Sequence, residues 1–199
     1  MLRDTMEDIL DISPEINNPM RIPRDNTAAL IIDIQERLFP HIHNNEIVAS
    51  NTEILVRGLQ VLDIPVYVTQ QYSKGLGRTI PAIEGLFDSF SHIEKTAFSC
   101  CDEPDLIKAL ETSGRKNIII AGIESHVCVL QTVIDLIGLE YVPVVIEDCV
   151  SSRKLSDKKT AMDRMSMEGA ILSSYESILF ELCRFSGTEE FKVISKLVK

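Results

Sequence analysis

Apolar residues recur along this chain in two alternating rhythms. Short, mostly uninterrupted apolar runs occupy residues 28–34, 66–69, 118–121, 142–146 and 170–173, set off by punctuating residues such as Pro65, Gly122, Glu147 and Gly169. Runs of that length read as strands buried on both faces. Between them the apolar positions change to helical spacing. Ile47, Ile54, Leu55 and Leu59 share one face of a helix over 46–62, and Val129, Val133, Leu136 and Ile137 share one face over 125–139. Further helices are predicted over 105–112, 157–168, 174–185 and 189–198. This β-α repetition implies an α/β domain with a parallel sheet covered on both faces.

Residues 1–24 stand apart as an N-terminal extension, with Pro14, Pro19, Pro23 and the pair Asn17-Asn18. A weak apolar pattern at Met6, Ile9 and Leu10 fits a short surface helix, a partner-binding arm or a loosely packed segment. Residues 25–199 form the single folded domain. The longest irregular stretch runs over 70–91, with Gly75, Gly77, Pro81 and Gly85. A loop of that length in a compact domain is a functional candidate, able to cover the strand ends.

Bulk properties narrow the classes. The chain has 199 residues, 45% of them hydrophobic, which suits one domain with a substantial core. A formal net charge of -10 argues against a nucleic-acid partner. The basic cluster Arg153-Lys154 with Lys158-Lys159 is interrupted by Asp157 and reads as a solvated helix start. No apolar run approaches membrane-spanning length, so no membrane partner is expected. The first 20 residues show no basic segment followed by an apolar core, so no secretory signal is expected. The five cysteines form no C-x-x-C pair or zinc-finger spacing, so free thiols in a reducing cytoplasm are the simplest reading.

The candidate chemistry lies at strand ends, where open parallel sheets place their sites. Asp33 ends one strand, Lys95 ends the short run 91–95, and Cys128 follows the strand that Gly122 stops. Ser125 is a plausible N-cap for the next helix. A thiol in the first helical turn faces unpaired N–H groups and the positive end of the dipole, which lower its pKa. The same N–H groups suit a developing oxyanion. A buried, inert cysteine is the alternative. An acid just past a buried strand costs free energy unless it is paired or catalytic, and Lys95 offers the partner. Taken singly, Asp33 also suits a turn cap and Lys95 a solvated edge.

Three segments resemble the signature segments of the isochorismatase-like cysteine hydrolases. They are Leu30-Ile-Ile-Asp-Ile-Gln35, Ile93-Glu-Lys-Thr-Ala-Phe-Ser99 and Ala121-Gly-Ile-Glu-Ser-His-Val-Cys128. Gln71-Tyr-Ser-Lys-Gly-Leu-Gly77 and Glu147-Asp-Cys-Val-Ser-Ser152 are similar to further segments of that family, and the order is kept over residues 21–185. The resemblance implies a three-layer α/β/α fold with a mainly parallel, Rossmann-like six-stranded sheet. It implies an Asp-Lys-Cys triad, with Asp33 as base, Lys95 as the orienting charge and Cys128 as nucleophile. It also implies a cis peptide between Ile123 and Glu124, and an oxyanion hole from the backbone N–H groups of Val127 and Cys128.

Asp33 would then take the thiol proton, and the thiolate would attack a carbonyl to give a thioester that water hydrolyses. Isochorismatases in the same family cleave a vinyl ether without a nucleophile and can lack the cysteine. The presence of Cys128 therefore favours a small amide, carbamoyl or related acyl substrate. Some amidases of the family carry an Asp-x-His metal pattern after the first strand. Here Asp33 is followed by Ile34, Gln35, Glu36 and Arg37, so no metal or cofactor is expected, and His41 and His43 read as a solvated loop.

Gln35, Phe39, Gln70, Tyr72 and Phe98 lie near the strand ends and are candidate substrate contacts, with Leu38 as another wall. His126 stands two residues from Cys128 on a helix and points elsewhere. Cys149 and Cys183 read as core thiols. The last two helices present Ile178, Leu179 and Leu182, then Phe191, Ile194 and Leu197, as faces that a homodimer or higher homo-oligomer would bury. Two other roles for the same fold are a catalytically weak interaction protein, and a thiol redox sensor with Cys100 or Cys101 resolving an oxidised Cys128.

Overall fold

The computed structural model describes residues 21–199. Its strands are β1 (Thr27–Ile32), β2 (Val66–Gln71), β3 (Ile93–Lys95), β4 (Asn117–Ile123), β5 (Val142–Ser151) and β6 (Ile171–Ser173). They form one sheet in the order β3-β2-β1-β4-β5-β6, and every neighbouring pair is parallel. The helices are α1 (Asn45–Val61), α2 (Ser73–Leu76), α3 (Pro81–Glu84), α4 (Pro104–Ser113), α5 (Leu130–Gly138), α6 (Leu155–Glu168), α7 (Tyr175–Cys183) and α8 (Glu189–Leu197). Among the described residues, no helix is long and apolar enough to cross a membrane.

Every residue of β1 is buried, because helices cover both faces of the sheet. Strand alternation divides the core. Ala28, Leu30 and Ile32 pack with Leu106 and Leu110 of α4, Val133 and Leu136 of α5, and Met162 and Met165 of α6. Ala29 and Ile31 pack with Leu55 and Leu59 of α1 and with Ile178 and Leu179 of α7. The result is the three-layer α/β/α architecture.

The strand order reverses direction at β1, so the carboxyl ends of β1 and β4 flank a crevice. Gly122 brings those two strands unusually close. It pairs with Ile32 at φ +137°, and a Cβ there would lie 2.2 Å from the Ile32 carbonyl oxygen. The residue after Ile32 is Asp33, so this approach also sets how near the Asp33 turn comes to the segment after β4.

Several expectations change. β5 continues to Ser151, past Ile146, because a bulge opposite β4 accommodates Glu147 and Asp148 before pairing resumes at Val150. The stretch 70–91 is not structureless. It contains the end of β2, α2 and α3, and it is pinned to residues 34–37 by bonds such as Glu36 N–H to Arg78 O and Ile80 N–H to Ile34 O. The apolar faces of the last helices are largely taken up within the chain: Ile178, Leu179, Leu182 and Ile194 are buried in the α1 layer. Cys149 is a core thiol, whereas Cys183 is half-buried. Residues 1–20 of the extension, with Met6, Ile9 and Leu10, lie outside the described residues. Ile22 is already part of the core, and its N–H donates to Glu181 Oε1 at 3.0 Å, so the packed body begins before residue 25.

Candidate active site

Three side chains meet at the carboxyl edge of the sheet. Asp33 follows β1 in the left-handed region, φ 52°, which turns its carboxylate toward β2 and β3. Lys95 ends β3, and its Nζ lies 2.7 Å from Asp33 Oδ2 with both side chains fully buried. Thr69 Oγ1 donates to Asp33 Oδ1 at 2.7 Å. Apart from the ion pair, Asp33 Oδ2 accepts no hydrogen bond. The Cys128 thiol faces the same carboxylate.

The electrostatics follow from burial. Burial pushes the Asp33 carboxyl up, and the Lys95 charge with hydrogen bonds from Lys95, Thr69 and Cys128 only partly offsets it. Burial lowers Lys95, but the Asp33 carboxylate, with smaller contributions from Cys100 and Cys128, more than offsets this and holds the ammonium above its ordinary value. Burial, then the Asp33 charge, pushes the Cys128 thiol up to about 12, against the opposing pull of Lys95. This reverses the expectation of a low-pKa thiol. The sulfur lies inside the protein beside an anion, and a helix terminus does not compensate for that. At neutral pH this favours a resting thiol over a standing thiolate.

The segment carrying Cys128 also departs from an ordinary helix start. The Ile123–Glu124 peptide bond is cis. Residues Ser125–Val129 form a π turn that leads into α5. Ser125 is not the cap: Glu124 holds that position, and Ser125 Oγ is buried without a partner. In an α-helix Glu124 O would take the Cys128 N–H. Here it takes Val129 N–H at 3.3 Å and Val127 N–H at 3.0 Å. The π register therefore releases the Cys128 amide from that carbonyl, whereas Val127, expected as a second oxyanion donor, already spends its N–H on Glu124. Thr132 Oγ1 donates to Cys128 O at 2.7 Å and fixes the turn from below.

The expected substrate contacts separate into two groups. Tyr72 and Phe98 flank Lys95: Tyr72 N–H donates to Lys95 O, and Lys95 Nζ donates to Phe98 O. Both rings are about half exposed, at 54% and 53%, and stand at the rim of the site. Gln35 is not available. It is fully buried, and its carboxamide is spent on the backbone of Gln71 and Gly77. Gln70 points to the opposite face of β2, where Nε2 donates to Thr79 Oγ1. Phe39 packs half-buried against the α1-side core. His126 turns away, with Nδ1 3.0 Å from Ser152 Oγ and Nε2 4.0 Å from Asp157 Oδ2.

Thr69 and Gln71 were missed. Strand alternation puts both on the Asp33 face of β2, a signal present in the sequence, but their polar partners come from β1 and β3. Cys100 lies beside Thr69 and shares the Thr132 hydroxyl with Cys128. Burial pushes it up to about 11 and Cys101 up to about 12. Among the described residues no group of three or more His, Cys, Asp or Glu side chains is placed to hold a metal ion. Surface hollows of about 630 and 420 Å³ lie beside α4 and beside α2, and none of the triad residues lines them.

Comparison with known proteins gives a consistent result. The family model described as the isochorismatase domain matches residues 27–177. Isochorismatase domain-containing protein 1 of Danio rerio is 36% identical over 168 residues, covering 84% of this chain but 59% of that protein. Isochorismatase family protein 1B of Dictyostelium discoideum is 33% identical over 184 residues, covering 90% of this chain and 89% of that one. Among solved structures, the MAR1 ribonuclease of Caenorhabditis elegans superposes with a TM-score of 0.84 at 36% identity, over 89% of this chain and 92% of that one.

Proposed function

This chain belongs to the isochorismatase family, and from that premise we propose that it is a cysteine-dependent hydrolase of small amide, carbamoyl or related acyl substrates. One observation carries the reading: the buried Cys128 thiol faces a carboxylate whose Oδ2 is held only by the Lys95 ammonium. Asp33 takes the thiol proton as sulfur attacks the substrate carbonyl carbon, so the pair needs no standing thiolate. The new oxyanion lies against the Cys128 N–H. As the tetrahedral species collapses, the C–N bond breaks and Asp33 returns the proton to the departing amine. Water, deprotonated by Asp33, then attacks the thioester carbon, the C–S bond breaks, and Asp33 returns that proton to the Cys128 sulfur. Lys95 keeps Asp33 ionised between steps.

The nematode relative bears the name ribonuclease, so RNA belongs in the substrate panel. The net charge of -10 and a nucleophile buried below the surface favour a small uncharged or singly charged substrate here. The exposed Tyr72 and Phe98 beside the crevice suit closure by a second copy of the chain, so a homo-oligomer is part of the proposal. Five free cysteines suit a reducing, cytoplasmic setting.

The test is a panel of small amides, carbamoyl compounds, esters and an RNA oligomer, run against intact protein and Asp33→Asn. Asp33→Asn is expected to lower kcat/KM by about three orders of magnitude or more, since it removes the base of a coupled unit. For the intact protein, kcat/KM should fall on the acid side above the ordinary carboxylate range. Burial raises the Asp33 carboxyl, so the base is lost by protonation earlier as pH drops. That limb should disappear in Asp33→Asn. Cleavage of the RNA alone, with Asp33→Asn unimpaired, would end the acyl-hydrolase reading.

A further inference from the structure

The Lys95 ammonium has more acceptors than protons. Its Nζ meets Asp33 Oδ2 at 2.7 Å, Gln71 Oε1 at 2.5 Å, and the carbonyls of Ala97 and Phe98 at 3.2 Å each. Three N–H groups are thus fully committed, the two carbonyls sharing one. Gln71 is the side chain that completes this set. It is the register partner of Lys95 across β2 and β3. Its backbone is clamped by Gln35, which accepts from Gln71 N–H at 2.7 Å and donates to Gln71 O at 3.1 Å. Its amide cannot be turned round: Nε2 donates to Thr96 O at 2.7 Å, so Oε1 must face the ammonium.

We propose that Gln71 is a positioning residue of the triad, holding the Lys95 ammonium on Asp33 so that Lys95 serves the reaction by its charge and gives no proton to the substrate. This deepens the reading of Asp33, Lys95 and Cys128 given above and rests on it. The residue type fits the task. A carboxylate at 71 would compete with Asp33 for the cation, and an apolar side chain would leave the ammonium, beside Asp33, only the two longer carbonyl contacts at 3.2 Å. A carboxamide accepts the N–H and leaves the charge to Asp33.

The test needs no substrate. The full chain is labelled with iodoacetamide across a pH series, and modification of Cys128 is read by peptide mass in intact protein, Gln71→Met and Asp33→Asn. Gln71→Met keeps the length of the side chain and removes the acceptor. Without it the ammonium is less favoured, its pull on the thiol weakens, and Cys128 labelling at pH 8 is expected to slow about tenfold. The melting temperature should fall by only about 2–4 °C, the scale of one lost hydrogen bond, and the labelling of half-buried Cys183 should not change. Asp33→Asn should speed the labelling at pH 8 instead, because it removes the anion that raises the thiol. If Gln71→Met does not fold, Gln71→Asn withdraws the acceptor by one methylene and carries the same expectation. Labelling of the Gln71 variant unchanged or faster, with Asp33→Asn faster, overturns the role of Gln71 and leaves the triad standing. Unchanged labelling in Asp33→Asn removes the triad and this inference together.

Discussion

Cys128→Ala is expected to yield a folded protein whose turnover of any acyl substrate found is lost by on the order of 10⁴-fold or more. The chemistry requires it. Asp33 can activate a thiol or a water, but without sulfur there is no covalent intermediate, and the reaction must pass in one step through attack by water. The fold should tolerate the change. Cys128 is small and buried, and its backbone is held independently by the Thr132 hydroxyl and the π turn. Loss of one buried sulfur costs about 1 kcal/mol, well inside the stability of a domain of this size. The measurement is kcat/KM beside a thermal melt. Undiminished turnover of a vinyl ether by Cys128→Ala would instead mark the nucleophile-free reaction known within the resembling family.

Gly122→Ala is expected to destabilise the chain more than any other single methyl addition at its glycines. The added carbon would stand 2.2 Å from Ile32 O and 2.6 Å from Ile32 N, both backbone atoms of the central strand. Neither can rotate aside, and φ +137° is itself poorly suited to alanine. β4 would have to draw back from β1. A loss of about 4 kcal/mol is a reasonable scale, a large part of the usual 5–15 kcal/mol of a folded domain. For a chain of this length that corresponds to a drop in Tm of roughly 8–16 °C. Gly114→Ala is the control. Its φ is also positive, +66°, but nothing lies within 4 Å of its Cβ position, so its cost should be about 1 kcal/mol. Because Gly122 sets the separation of the Asp33 turn and the Cys128 turn, a surviving fraction of folded Gly122→Ala should also show slowed Cys128 labelling.

Much of this architecture was legible because fully buried parallel strands write themselves as apolar runs. The runs at 28–34 and 118–121 located β1 and β4, and with them the two turns that carry Asp33 and Cys128. β5 was cut short because Glu147 and Asp148 interrupt its run, and a bulge that accommodates two polar residues within one strand leaves no periodic mark. The π turn was invisible for a similar reason. One extra residue in the first turn leaves Val129, Val133 and Leu136 on the same face, so the helical rhythm continues unbroken. The direction of the Cys128 shift was misread because position on a helix can be seen in a sequence and depth of burial cannot. Gln35 was assigned to the substrate from its place beside Asp33, yet its amide serves as a backbone partner for Gln71, a use that depends on which strand lies next to it. Thr69 and Gln71 alternate correctly along β2, but only the sheet order shows that they face the ion pair.

The most direct measurement is the structure of the protein soaked with a small aldehyde, which mimics the acyl carbon and stops at the tetrahedral stage. The expected density is a thiohemiacetal on Cys128 Sγ, its oxygen about 3 Å from the Cys128 N and its carbon chain leaving past Tyr72 and Phe98. Lys95 should remain bonded to Asp33 and Gln71. An ordered adduct on Cys128 with its oxygen turned to solvent, or an adduct on Cys100 or Cys101 with Cys128 unmodified, would contradict acyl transfer through this triad.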